Sequence, residues 1–138
     1  MEKEKVDERV IMLQQLQSEA EAIQRKIFEL EIVDSQLEKT IESLEYFDSL
    51  DEGVEALMNL GGGVFAYVDV KNAKKMLVDV GAGVVVEKEV KEAIDLLKKK
   101  RETIQQNVTT LEQALQQIVE RARQIQEELL KEAKKEEK

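Results

Sequence analysis

The 138-residue sequence has no cysteine, histidine, proline or tryptophan, and only 4% of its residues are aromatic. Each absence removes a class of chemistry. Without cysteine and histidine there is no thiolate nucleophile, no imidazole acid or base, and no zinc site of the usual sulfur or nitrogen ligands. Disulfides are excluded, which is compatible with a reducing cytosol. With few aromatics and 37% charged residues, a compact core of large side chains is not expected, and apolar stripes must serve instead. The 30 acidic residues outnumber the 21 basic ones, a net charge of −9. That balance opposes binding to nucleic acid or anionic lipid, because counterion release needs a basic face. The longest uncharged apolar runs, Gly61 to Val68 and Val80 to Val86, fall far short of the roughly 18 residues that span a bilayer. The charged start Met1-Glu2-Lys3-Glu4-Lys5 and the short cluster Val10-Ile11-Met12-Leu13 do not make a signal peptide. A cytoplasmic location with no membrane association is expected.

What the sequence has is periodicity. Leu16, Ile23, Leu30, Leu37 and Leu44 stand seven residues apart, and Val6, Leu13, Ala20, Ile27, Asp34 and Ile41 form a second series of the same period. Together they fill the two seam positions of a heptad repeat, interrupted by Asp34. No glycine or proline precedes Gly53, so helix propensity agrees with the pattern. The second half repeats it with Val90, Leu97, Ile104, Leu111, Ile118 and Ile125, and with Ile94, Arg101, Val108, Leu115, Ala122 and Leu129. Two such seams predict an antiparallel pair, each helix of about 40 residues being about 60 Å long. If Leu44 meets Ile94, facing numbers sum to about 138, which sets Asp34 one layer from Arg101. The two either pair, which would disfavour slipped registers, or reach solvent separately.

The middle is punctuated by glycine. Asp51-Glu52-Gly53 reads as a turn, followed by four β-favouring runs at 55–60, 64–70, 75–80 and 84–87. Gly61-Gly62-Gly63 and Gly81-Ala82-Gly83 separate the members of each pair, and the segment from Leu60 aligns with that from Val80 at an offset of 20. Two β-hairpins result, their loops using Gly61, Gly62, Gly63, Gly81 and Gly83 for the positive φ that a side chain makes costly. Four short strands cannot bury both faces and both edges in one chain. Val64, Phe65, Ala66, Tyr67 and Val68 of one hairpin, with Met76, Leu77, Val78, Val80, Val84, Val85 and Val86 of the other, are therefore expected to form an oligomerisation surface.

Catalytic motifs are absent or out of context. Gly61-Gly62-Gly63-Val64-Phe65-Ala66 satisfies a GxGxxA pattern, but a β-type run follows where a dinucleotide fold needs a helix. Glutamates at helical spacing, such as Glu38, Glu42 and Glu45, belong to a solvated face, and no histidine activates the serines. No enzyme activity, cofactor or metal is expected. More informative are Val10, Ile11 and Met12, which lie off the seam, with Leu129 and Leu130 near them in the proposed register. They predict exposed apolar surface at the helix ends away from the hairpins.

Helix, two hairpins and antiparallel helix, with Leu60-Gly61-Gly62-Gly63-Val64-Phe65 and the more specific Met76-Leu77-Val78-Asp79-Val80-Gly81-Ala82-Gly83-Val84-Val85-Val86-Glu87-Lys88, closely resemble the archaeal prefoldin alpha subunit family over essentially the whole chain. The resemblance implies an α+β chain with one prefoldin-like domain: a coiled-coil helix at 1–50, hairpins at 51–87, a second helix at 88–132 and a charged tail at 133–138. It implies hairpins assembled into an oligomeric β-barrel, in a hetero-hexamer of two alpha and four beta subunits. It further implies an ATP-independent holdase that captures unfolded polypeptide clients at coil tips and passes them to a group II chaperonin. In this sequence those tips correspond to Val10, Ile11, Met12, Leu13, Ile125, Leu129 and Leu130. The alternative is a structural coiled-coil protein that self-assembles into filaments through its hairpins.

Overall fold

The computed structural model describes residues 2–136. In chain order these form helix α1 (Glu2–Asp48), strands β1 (Val54–Gly61), β2 (Val64–Val70), β3 (Lys75–Gly81) and β4 (Val84–Glu89), and helix α2 (Val90–Glu136). The two helices and two hairpins read from the sequence are all present. β2 has the expected bounds, while β1, β3 and β4 run one or two residues beyond the apolar runs, because ladder pairing extends them, for β4 up to the helix. The charged stretch expected as a tail is helical over residues 133–136, and Glu137 and Lys138 lie outside the described residues. Lys134 and Lys135 in the last turn of α2, and Glu92 in its first, suit the helix dipole.

The chain divides into two compact units, one of residues 34–103 and the other of residues 1–33 with 104–138. In the first, Ile41 and Leu44 of α1 and Val90, Ala93, Ile94 and Leu97 of α2 form a buried cluster. Five of these six are seam positions, and Leu44 and Ile94 share the cluster as the proposed register requires. Met76 and Val78 of β3 also pack against it, so this part of the seam is covered by a third layer. In the second unit most seam residues, among them Leu16, Ile23, Leu111 and Ile118, are only half-buried. Two helices alone shield a seam from one side.

Each hairpin is its own two-stranded antiparallel sheet. Among the described residues there is no closed sheet, so a barrel is not a property of the single chain. In the first hairpin Val54 pairs with Val70 and Leu57 with Tyr67; in the second Lys75 pairs with Glu89 and Leu77 with Glu87. Both registers shift just before the loop, between Asn59 and Gly61 and between Asp79 and Gly81. The loops are then two residues long with positive φ at both positions: Gly62 at 60° and Gly63 at 79°, Ala82 at 53° and Gly83 at 76°. This is the pattern of type I′ turns, whose twist matches the flanking strands. Ala82 was not among the expected turn residues; it holds a left-handed conformation despite its Cβ. The offset of 20 extends to side chains, since Asn59 Oδ1 accepts from the Gly61 amide and Asp79 Oδ1 from the Gly81 amide, each at 2.8 Å.

Strand β4 runs directly into α2, and the junction is tied to the linker between the hairpins. The Val90 amide, one of the helix's orphan donors, donates to the Lys74 carbonyl at 2.8 Å. The Lys74 ammonium donates to the Asp48 carbonyl and lies 3.5 Å from Asp48 Oδ1. Ala73, which precedes Lys74, is buried. The second hairpin is thus fastened to both helices, whereas the first contributes no residue to the buried cluster.

Candidate functional site

Of the exposed apolar residues, which also include Phe28, Ile32 and Val33 along α1, two groups coincide with the surfaces expected from the sequence. The first is on the hairpins. Alternation along β3 sends Met76 and Val78 to the helices and Leu77 outward, where it is 75% exposed. The equivalent face of the first hairpin carries Leu57, Phe65 and Tyr67, and Tyr67 is 81% exposed. Leu60, Val64, Val80, Val84, Val85 and Val86 are exposed as well, while Ala66 and Val68 are half-buried. All twelve residues expected on the oligomerisation surface lie on the two hairpins, and most of them face solvent. Exposed apolar strand surface of this kind is what natural proteins pair or cover when it is not a site of contact.

The second surface is at the helix ends, within the unit of residues 1–33 and 104–138. Val10, Ile11, Met12 and Leu130 are exposed there, Ile11 at 53% and Leu130 at 63%. Leu13 and Leu129 are half-buried. Ile125 differs from the expectation for a client-contacting residue: it is 1% exposed and fully enclosed. Its place in the heptad series explains this, since a seam residue faces the partner helix before it faces solvent.

Charged pairs cross between the helices in both units. Arg101 Nε donates to Asp34 Oδ1 at 2.9 Å and Nη2 to Oδ2 at 3.1 Å. This two-pronged bond realises the pairing alternative, and Glu38 adds a carboxylate 3.7 Å from Arg101 Nη2. The bond to Asp34, against an opposing desolvation, raises the pKa of Arg101 above its ordinary value. The sequence reading did not identify the second pair. Arg9 donates to Glu132 Oε1 at 2.5 Å and lies 3.3 Å from Glu128 Oε2. The clue was available: Arg9 stands seven residues before Leu16 and Glu132 seven after Ile125, so both continue seam series that were followed only while they stayed apolar. The bond to Glu132 is likewise the leading cause of the raised pKa of Arg9.

Among the described residues no group of carboxylates could hold a metal ion, and no helix is long and apolar enough to cross a membrane. What both surfaces present is apolar side chains open to solvent. Two paired helices joined through two hairpins, with bare apolar strand faces and apolar helix ends, define a chain built for assembly and contact. The family model for prefoldin subunits matches residues 16–135, and the chain belongs to the prefoldin family. It is 56% identical to a prefoldin subunit alpha of Archaeoglobus fulgidus over 95% of this chain and 96% of that one. It is 32% identical to a prefoldin subunit alpha of Thermofilum pendens over 78% and 83% respectively. Among solved structures, a cryo-EM structure of filamentous PFD from Methanocaldococcus jannaschii superimposes with a TM-score of 0.73, covering 83% of this chain and 94% of that one at 20% identity. At that identity the likeness bears on the fold.

Proposed function

We propose that this chain is the alpha-type subunit of a holdase chaperone, in which the hairpins join subunits and the helix ends capture non-native polypeptide without ATP. The observation that carries the reading is the exposed group Val10, Ile11, Met12 and Leu130 beside a seam that needs none of them. Each patch is small, so a single contact is weak and reversible. Several patches on one assembly raise the effective concentration for the next contact and retain a client without a nucleotide switch. Met12 suits clients of varied shape because its unbranched thioether repacks easily. The net charge of −9 helps keep a loaded complex soluble.

The alpha-type relatives and the bare hairpin faces support assembly with other prefoldin subunits. The arrangement proposed is two alpha with four beta subunits around a shared β-barrel, delivering clients to a group II chaperonin in the cytoplasm. The solved likeness is a filamentous PFD, which supports a second reading in which this chain polymerises through its hairpins alone. The two separate by experiment. Replacing Val10, Ile11, Met12 and Leu130 by serine should leave the assembled mass unchanged and abolish suppression of client aggregation. Undiminished suppression would refute the assignment of the helix ends. Long polymers of the chain alone, with no suppression even in the parent, would support the structural reading.

A further inference from the structure

The geometry at the helix ends carries more than a static apolar patch. Arg9 and Glu132 occupy seam positions: the series that follows Arg9, Leu16 to Leu44, and the series that precedes Glu132, Val90 to Ile125, are apolar throughout, and the two residues bond across the helices at 2.5 Å. Ile125 lies one heptad before Glu132 and is fully enclosed; Leu13, one turn after Arg9, is half-buried. Outside the charged layer half-buried Val6 is the apolar seam residue of α1, and on α2 half-buried Leu129 lies just inside it, three residues before Glu132. Glu132 keeps one carboxylate oxygen buried without a partner, a cost that weakens the closed arrangement. An apolar layer would hold the ends shut at any ionic strength. An ion pair with side chains 24% and 29% exposed is screened by salt and yields to competing charges.

We propose that the Arg9–Glu132 layer is a clasp that sets how much apolar surface the helix ends present to a non-native chain. The proposal rests on the capture reading and adds its regulation. Closed, the ends offer Val10, Ile11, Met12 and Leu130. Open, they add Ile125 and Leu13. This explains why a residue at the heart of the expected contact region is enclosed in the free chain. A client that separates the helices gains that extra surface, and the ion pair is what it must displace. Salt and the loss of Arg9 therefore favour the open state.

The absence of native cysteine gives a direct test in the full chain. An Ile125→Cys variant reports opening through its rate of modification by a maleimide. Removing the clasp with Arg9→Gln in that background should accelerate modification by roughly 1.5- to fivefold, the range expected for a partly exposed ion pair. Added salt should accelerate the parent background and leave the Arg9→Gln one unchanged. In the second arm, Arg9→Cys with Glu132→Cys, joined by a short bifunctional thiol reagent, should suppress client aggregation less well than the same variant left unjoined. Equal modification rates with and without Arg9 would overturn the clasp, as would equal suppression by the joined and unjoined forms. Failure of the parent chain to suppress aggregation at all would sink the capture reading and the clasp's role together. Capture that persists with equal modification rates would sink the clasp alone.

Discussion

Leu77→Lys separates what the hairpin does within the chain from what it does between chains. Leu77 points away from the helices, is 75% exposed and stands opposite Glu87. Within one chain a lysine there loses little burial and gains a cross-strand partner of opposite charge, so stability should change by no more than about 0.5 kcal/mol. Between chains the sign reverses. Full burial of a leucine contributes about 1.5–3 kcal/mol, and three-quarters of this one remains to be buried, which leaves about 1–2 kcal/mol to gain on assembly. Losing that, with an ammonium now carried into the contact, should weaken each hairpin contact at least about tenfold, since every 1.4 kcal/mol is a factor of ten. Sedimentation velocity at graded concentration should show a lighter species at unchanged thermal midpoint. Val78→Lys is the contrast: that side chain packs on the helix cluster, so it should lower the midpoint as well as the mass. A Leu77→Lys chain that sediments with the parent at all concentrations would show that this face is not an assembly surface.

Other outcomes follow from the backbone and the charges. Ala82→Gly should raise stability by about 1 kcal/mol, because it relieves a side chain held at φ 53°, and a denaturant midpoint checks it. Gly83→Val should lower stability by at least about 1 kcal/mol; a Cβ there meets no atom within 4 Å, so the loss would come from backbone conformation alone. Gly53→Ala should be more damaging, at about 2 kcal/mol or more, since its Cβ would drive into the Val70 carbonyl oxygen beside the first ladder pair. The bond from Arg123 is the leading cause holding the Glu120 carboxyl below its ordinary 4.5. A carboxyl depressed in the folded state contributes fully above its unfolded pKa and loses that contribution as pH falls through the folded one. The midpoint difference between parent and Glu120→Gln should therefore close as pH is lowered from about 4.5, and a difference constant with pH would contradict it.

The helices and hairpins were legible because each rests on a strong local rule. Heptad spacing fixed α1 and α2 and the register near Leu44 and Ile94, and glycine clusters fixed both loops. Asp34 and Arg101 could be placed in adjacent layers but not joined, since side-chain reach allows either pairing or solvation. Other features depend on distant neighbours. The hairpins look alike in sequence, yet it is Met76 and Val78 of the second that pack on the buried cluster completed by α2. Ile125 was placed with its exposed neighbours through the family resemblance, although its heptad position already turned it towards the partner helix. Arg9 and Glu132 were missed because a search for apolar repeats stops where the repeat turns charged.

The most direct test of the central claim is the intact mass of the purified chain in solution, alone and with a beta-type partner. Bare hairpin faces require that the 15.8 kDa chain associate, and with the partner the expected species holds two copies of this chain and four of the other. A monomer of 15.8 kDa at all accessible concentrations, unchanged by the partner, would contradict the account.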